Sequence, residues 1–290
     1  MYHRRTLTEI GGRSRRDSES GAVIGLPRFF RRMNMNRQYV IYHMMLSVDG
    51  KINGDFLNNP LCGDAVEFYY RKHREYRGLE SGSERNASGE NRANAFLCGR
   101  VTMQGSFTGY DLPDLSVYEG ASFEREDYAA DTGAGFYAVA VDTKGRLNWT
   151  SGEICDDDPG YDRCHIVEIL CEDVDDRYLS FLREKGISYI FAGKTELELK
   201  TALLKLKSLF GIDRLLLEGG GIIGGKFAKE SCIDELSFIT APVIEGGDSR
   251  NVFADSMTSD SLRDFVPEDS ESDGKGSVWV RYLRRKAEEF

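Results

Sequence analysis

Glu218 closes an apolar run and is followed at once by glycines: Leu215-Leu216-Leu217-Glu218-Gly219-Gly220-Gly221-Ile222-Ile223-Gly224-Gly225. Such a segment reads as a buried strand ending in a carboxylate, then a turn into a short helix. Glycines there let backbone approach a ligand closely, because no Cβ intervenes. A helix that starts on them offers free N–H groups and a dipole to an anion such as a pyrophosphate. The same glycines could equally serve packing alone at a helix entry. Three further segments carry polar groups at the ends of apolar runs: Ser47-Val48-Asp49-Gly50, Gly99-Arg100-Val101-Thr102 and Asp142-Thr143-Lys144-Gly145-Arg146. Arg100 could donate two hydrogen bonds to a phosphate. The Thr143 hydroxyl and the two cations after it would suit a nucleotide 2′-phosphate, although a solvated hairpin turn explains them as well. His43, within the first apolar run, is a candidate proton donor or an ordinary hydrogen-bonded core histidine.

The elements needed to position these groups alternate in type. Tyr39–Leu46 has a strand pattern, and 64–76 carries apolar and aromatic residues at helical spacing. Residues 78–92 are polar and read as a loop, followed by a short strand over 93–98 and a helix opening at Gly99. An insertion over 105–134 shows little periodicity. Strands are expected over 136–141, 165–171, 187–192, 215–217, 233–243 and 278–283. Helices are expected over 175–185 and 196–210, closed by Gly186 and Gly211. Residues 256–275 read as loop. Alternating strands and helices mean an α/β chain with a mostly parallel sheet flanked by helices. The last two strands lack a helix between them, which adds an antiparallel edge and makes the sheet mixed. Loops gathered at the carboxyl ends of parallel strands form the usual ligand crevice.

Bulk composition narrows the partners. The 290 residues carry a formal charge of −10, which disfavours nucleic acid. No apolar run approaches bilayer-spanning length. Six cysteines without a C-x-x-C pair, and only four histidines, show no zinc-site spacing. Thiols in apolar runs suit a reducing cytoplasm. Residues 1–37 differ from the rest: nine arginines face three acids. An arginine-rich, acid-poor leader can be an organelle transit peptide. A disordered basic extension, or translation from a start upstream of Met33 or Met35, is the favoured reading, with the folded domain over 38–290.

Four blocks, in order and spacing, resemble the reductase domain of bacterial riboflavin biosynthesis, the RibD C-terminal domain family with its dihydrofolate reductase-like fold. They are Tyr39–Ile52, with Ser47-Val48-Asp49-Gly50-Lys51-Ile52; Ala95–Thr102; Val139–Arg146; and Leu215–Gly225 followed by Ile233-Asp234-Glu235-Leu236 and Ala241-Pro242-Val243. The resemblance implies an NADPH-dependent reductase of a ribosylamino-pyrimidine phosphate, working as a homodimer. It implies that the Leu46 backbone meets the nicotinamide and that Gly99, Arg100, Thr102 and Thr143 contact the dinucleotide. Gly219, Gly220, Gly221, Ile222 and Ile223 would hold its pyrophosphate. Glu218 would face the substrate, with Asp49 in the nearby proton network and His43 as a further candidate acid. Two departures leave the substrate open. Met103-Gln104-Gly105-Ser106 stands where the family carries a D-D-P-type loop, and His43 replaces a lysine common on the first strand. The cysteine spacing gives no expectation of the zinc deaminase half of the bifunctional bacterial enzymes. Two other readings follow: a catalytically silent nucleotide-binding module, or a dihydrofolate reductase-like enzyme with a different substrate.

Overall fold

The computed structural model describes residues 37–80, 91–254 and 264–285. The basic extension expected over 1–37 lies outside the described residues except for Arg37, and so do most of the 78–92 loop and part of 256–275.

One mixed sheet runs through the described chain. Its strands are β1 (Tyr39–Leu46), β2 (Ala95–Gly99), β3 (Tyr137–Val141), β4 (Glu153–Ile154), β5 (Cys164–Leu170), β6 (Ser188–Phe191), β7 (Arg214–Leu217), β8 (Glu235–Thr240), β9 (Phe265–Ser272) and β10 (Val278–Arg284). The spatial order is β4-β5-β3-β2-β7-β1-β8-β10-β9, with β6 also paired to β5. Six of the nine strand pairings are parallel. The antiparallel ones are β4 on β5 and the β8-β10-β9 edge. The expected mixed, mostly parallel sheet is therefore present.

The helices are α1 (Gly63–Arg77), α2 (Arg100–Met103), α3 (Asp176–Glu184), α4 (Leu199–Phe210) and α5 (Gly221–Lys229). α1 ends at Gly78 and α4 at Gly211, both left-handed, the conformation glycine adopts without strain. α2 runs on into a π-helical turn, Gln104–Thr108, so the insertion read as aperiodic from 105 begins in helical form. The 256–275 loop reading is corrected: Phe265–Ser272 is an edge strand on β10. Pro267 and four acids between Glu268 and Asp273 hid it, because they are edge-protecting residues without an apolar alternation.

Strand alternation sorts the core into two layers. Tyr42, Leu97, Val139, Leu215 and Leu217 pack on one face with Leu203 and Leu206 of α4 and Phe227 of α5. Ile41, Phe96, Ala138, Ile166 and Leu216 pack on the other with Tyr76 of α1 and Tyr178 and Leu182 of α3. Glu218 follows Leu217, so its side chain belongs to the second layer.

The Asp234-Glu235 pair explains itself within this frame. Asp234 takes a bidentate bond from Arg37, at 2.6 and 2.8 Å, and one from the β1 backbone at Val40. Glu235 is fully buried and accepts from Tyr76 at 2.6 Å, Tyr39 at 3.0 Å and both arms of Arg281 at 2.7 and 2.9 Å. These acids knit β1, α1, β8 and β10 together. Removing one member of a buried ion pair leaves its partner uncompensated. Glu235→Ala should therefore destabilise the domain by about 3–5 kcal/mol in urea unfolding; a midpoint close to that of the parent chain would contradict this assignment.

Candidate functional site

The carboxyl ends of β1, β2, β3 and β7 bring the four polar segments to one end of the sheet. Gly219 packs so tightly there that an added Cβ would lie 2.7 Å from Cys98 Cα and 2.8 Å from Gly99 N, so no other residue fits without moving β2. Gly220 has φ +52°, with open space where a side chain would point. α5 begins at Gly221, and its first internal bond runs from Gly224 N to Gly220 O at 3.0 Å. The N–H groups of Gly221, Ile222 and Ile223 thus have no intrahelical acceptor. Ile222 is exposed, whereas Ile223 is buried. This turn fits a pyrophosphate. A carbonyl of the 249–254 segment closes one side, 2.3 Å from where a Gly221 Cβ would be.

The Glu218 carboxylate leaves this turn toward the α1 side of the sheet. It is buried, with Oε1 2.5 Å from His73 Nδ1 and Oε2 accepting from the Tyr161 hydroxyl at 3.0 Å. His73 is fully buried, and its Nε2 lies 2.7 Å from the Gly160 carbonyl. A carbonyl only accepts, so Nε2 carries a hydrogen. One further proton then lies between Nδ1 and Oε1, held as imidazolium–carboxylate or as imidazole–carboxylic acid. Tyr161 stacks on the His73 ring at 4.2 Å between centroids. Burial, and then Glu218, push its hydroxyl well above the usual tyrosine value, so it remains a donor. Neither His73 nor Tyr161 was a candidate from the sequence. His73 reads as one more residue on a helix, and its partners lie 145 and 87 positions away.

The loop that supplies Tyr161 is the acidic segment Asp156–Gly160, and α1 holds it. Arg74 bonds Asp158 at 2.7 Å, and Arg77 donates to the Gly160 carbonyl at 2.5 Å. Gly160 must be glycine, since a Cβ would sit 2.7 Å from the His73 ring.

His43 lies inside. Trp279 Nε1 donates to Ser237 Oγ at 2.8 Å, and Ser237 Oγ lies 3.0 Å from His43 Nδ1. His43 Nε2 is 3.2 Å from the Tyr69 carbonyl. The one consistent neutral assignment has Nε2 protonated and Nδ1 accepting from Ser237. Burial lowers this histidine to about 4. Both ring nitrogens are engaged and the side chain is fully buried, an arrangement that fits a core histidine rather than a proton donor.

Asp49 is exposed and also occupied. It accepts from Ser47 Oγ at 2.7 Å and from the Glu245 and Gly246 backbone at 3.0 and 2.9 Å. These bonds lower it to about 2, Ser47 contributing most. It therefore stays an anion that ties the loop after β1 to the loop after β8. The Leu46 carbonyl accepts from Ala241 N at 2.7 Å. Arg100 bonds Gln104, and Thr102 is half-buried beside it on α2. In the Thr143 turn, Lys144 is paired with Asp173, which leaves exposed Arg146 as the better placed cation for a 2′-phosphate. Asp142 caps that turn by accepting from the Arg146 and Leu147 backbone, at 2.5 and 2.8 Å.

The His43 geometry sets a pH dependence. In the fold this histidine resists protonation down to about 4, whereas an unfolded chain takes the proton near 6.5. A lowered folded value means stability present above about 6.5 and lost as pH falls toward 4, by at most roughly 3 kcal/mol. His165, also lowered by burial, acts in the same direction. Urea unfolding between pH 7 and 4.5 should show this decline, and His43→Gln should flatten it; equal slopes in both proteins would refute the assignment.

Comparison with known proteins agrees with this architecture. Residues 138–278 match the RibD C-terminal domain model. Among solved structures, a pyrimidine reductase-like protein from Corynebacterium diphtheriae aligns with a TM-score of 0.58 at 18% identity, covering 87% of this chain and 93% of that one. RibD from Acinetobacter baumannii aligns at 0.55 with 19% identity over 87% of this chain, which spans 59% of that protein's length. The riboflavin biosynthesis reductase Rib7 from Saccharomyces cerevisiae aligns at 0.54 with 12% identity, covering 90% and 96%. At these identities the structures establish a shared fold. The first two motif blocks lie before the matched residues and the last two lie within them, so residues 138–278 match the model of the family that the motifs resemble.

Proposed function

We propose that this chain is an NADPH-dependent reductase that delivers hydride to a pyrimidine-type small molecule, similar to a 5-amino-6-(5-phosphoribosylamino)uracil. The observation that carries the reading is the buried 2.5 Å contact between His73 Nδ1 and Glu218 Oε1, next to the glycine turn. NADPH, when bound, supplies the hydride. The chain's own residues bind, orient and manage a proton. The N–H groups of Gly221, Ile222 and Ile223 would hold the pyrophosphate, and Arg146 with Thr143 would meet the 2′-phosphate. Gly99 and Arg100 border the same crevice. Reduction of an imine or carbonyl also needs a proton at the heteroatom. The Glu218–His73 pair stores one, and the Tyr161 hydroxyl contacts Glu218 on its other oxygen. A homodimer in the cytoplasm belongs to this reading.

One observation favours the second reading, a nucleotide-binding module without turnover. Tyr161 and His73 occupy both Glu218 oxygens, and the side chain is 2% exposed. A substrate must then be served through Tyr161 or displace it.

NADPH oxidation against a panel of pyrimidine and pteridine substrates separates the two. Glu218→Gln should leave NADPH affinity within about twofold and lower turnover by roughly a hundredfold or more, the range of a lost general acid. His73→Gln should lower turnover in the same way. Tight NADPH binding without turnover on any substrate would favour the module, and loss of NADPH binding in Glu218→Gln would overturn the division of labour within this turn.

A further inference from the structure

A cavity of about 540 Å³ opens at the other end of the sheet, where β2, β3 and β7 begin. It is lined by Arg77, Arg92, Arg163 and Arg214, with Asp162 and Asp213 as its acids. Both acids face cations outside this set or on their own loop. Asp213 bonds Lys207 at 2.8 Å, and Asp162 lies 3.6 Å from Arg163. Arg77, Arg92 and Arg214 form no ion pair with a described carboxylate within the 4.0 Å salt-bridge range. That is unusual in a chain with a net charge of −10.

Their positions are built, not incidental. Arg214 lies with its guanidinium 4.1 Å from the Tyr39 ring centre, and its Nε is buried with no hydrogen-bond partner. Asn94 fixes the backbone beneath it, accepting from Asp213 N and Arg214 N while donating to the Gly211 carbonyl. Arg77 stacks 3.7 Å from the Phe136 ring centre and donates to the Pro159 and Gly160 carbonyls and, at 3.7 Å, to Cys164 Sγ. Burial without a carboxylate lowers this guanidinium from its ordinary value. Arg92 crosses Gly78, whose missing Cβ leaves room for it. A plain explanation covers part of this, since cations suit the carboxyl end of α1. It does not cover Arg214, which belongs to a strand and lines the cavity without a carboxylate partner.

We propose that this cavity is a binding site for a small phosphorylated ligand, held by Arg77, Arg92 and Arg214. Three planar guanidinium groups can donate in bidentate fashion to phosphate oxygens. The volume suits a ligand the size of a mononucleotide. The site lies opposite the glycine turn, so it is separate from the dinucleotide crevice. The Gly160 carbonyl joins the two ends, accepting from both Arg77 and His73.

The test is calorimetric titration of the full chain with inorganic phosphate, pyrophosphate and adenosine monophosphate, without NADPH. Saturable binding is expected, weakened about tenfold or more in Arg92→Ala and in Arg214→Lys, which keeps the charge but loses the fork. Thermal unfolding of each variant checks that it is folded, and Arg92→Ala removes only a surface side chain. Equal affinity for free phosphate and the nucleotide assigns the site to the free anion; preference for the nucleotide assigns it to a phosphorylated metabolite. No binding of any probe at concentrations on the order of 10 mM, or unchanged affinity in both variants, overturns the proposal.

Discussion

A carboxylate taken out of water must be met by donors, and Glu218 sets that demand at the centre of this structure. An uncompensated buried charge costs several kcal/mol. Here the compensation comes from His73 on α1 and Tyr161 on a loop that enters β5. Neither element is near Glu218 in sequence. The requirement therefore fixes how α1 is rotated about its axis and where the acidic loop must seat. Arg74 and Arg77, one and four residues beyond His73, then anchor that loop through Asp158 and the Gly160 carbonyl. Gly160 is small because the histidine ring occupies the space a side chain would need.

The same turn sends its backbone and its side chain to opposite faces. Leu217 and Glu218 are adjacent on an extended strand, so they point to different layers. α5 continues on the Leu217 side, where Gly224 tolerates the Tyr42 hydroxyl at a separation that a Cβ would reduce to 2.1 Å. The free backbone N–H groups of α5 thus start on one side of the sheet while the carboxylate lies on the other. Gly219 makes this possible by letting β7 close directly on β2.

Much of this arrangement was legible. β1 begins and ends where its apolar run does, and the glycine closure of α4 follows from left-handed backbone at Gly211. The blocks around Ser47, Gly99, Thr143 and Glu218 do converge at one end of the sheet. Other features could not be read. β9 lacks alternation because it is an edge that carries acids and a proline. β4 is two residues long, too short for any period. His73 sits on the buried face of α1 between Phe68 and Tyr76, and a buried histidine needs partners. Spacing alone, however, names no partner 145 residues away. The neighbours of His43 were hidden for the opposite reason. Its strand position was read correctly, but Ser237, Trp279 and Tyr69 consume its chemistry.

Two arginines one helical turn apart show how charge is distributed around this centre. Arg74 meets Glu67, Glu80 and Asp158, each at 2.7 Å, so its charge is spent locally. Arg77 meets carbonyl oxygens, the Cys164 sulfur and the face of Phe136, and no described carboxylate. Carbonyls satisfy geometry without cancelling charge, so the positive field of Arg77 persists into the cavity it lines. The same carbonyl of Gly160 also orients His73. A single peptide group therefore joins a neutralised, buried proton pair at one end of the sheet to an unneutralised cation at the other. Any displacement of the 156–160 loop must be felt at both, because neither His73 Nε2 nor Arg77 has a second described partner as close as that oxygen.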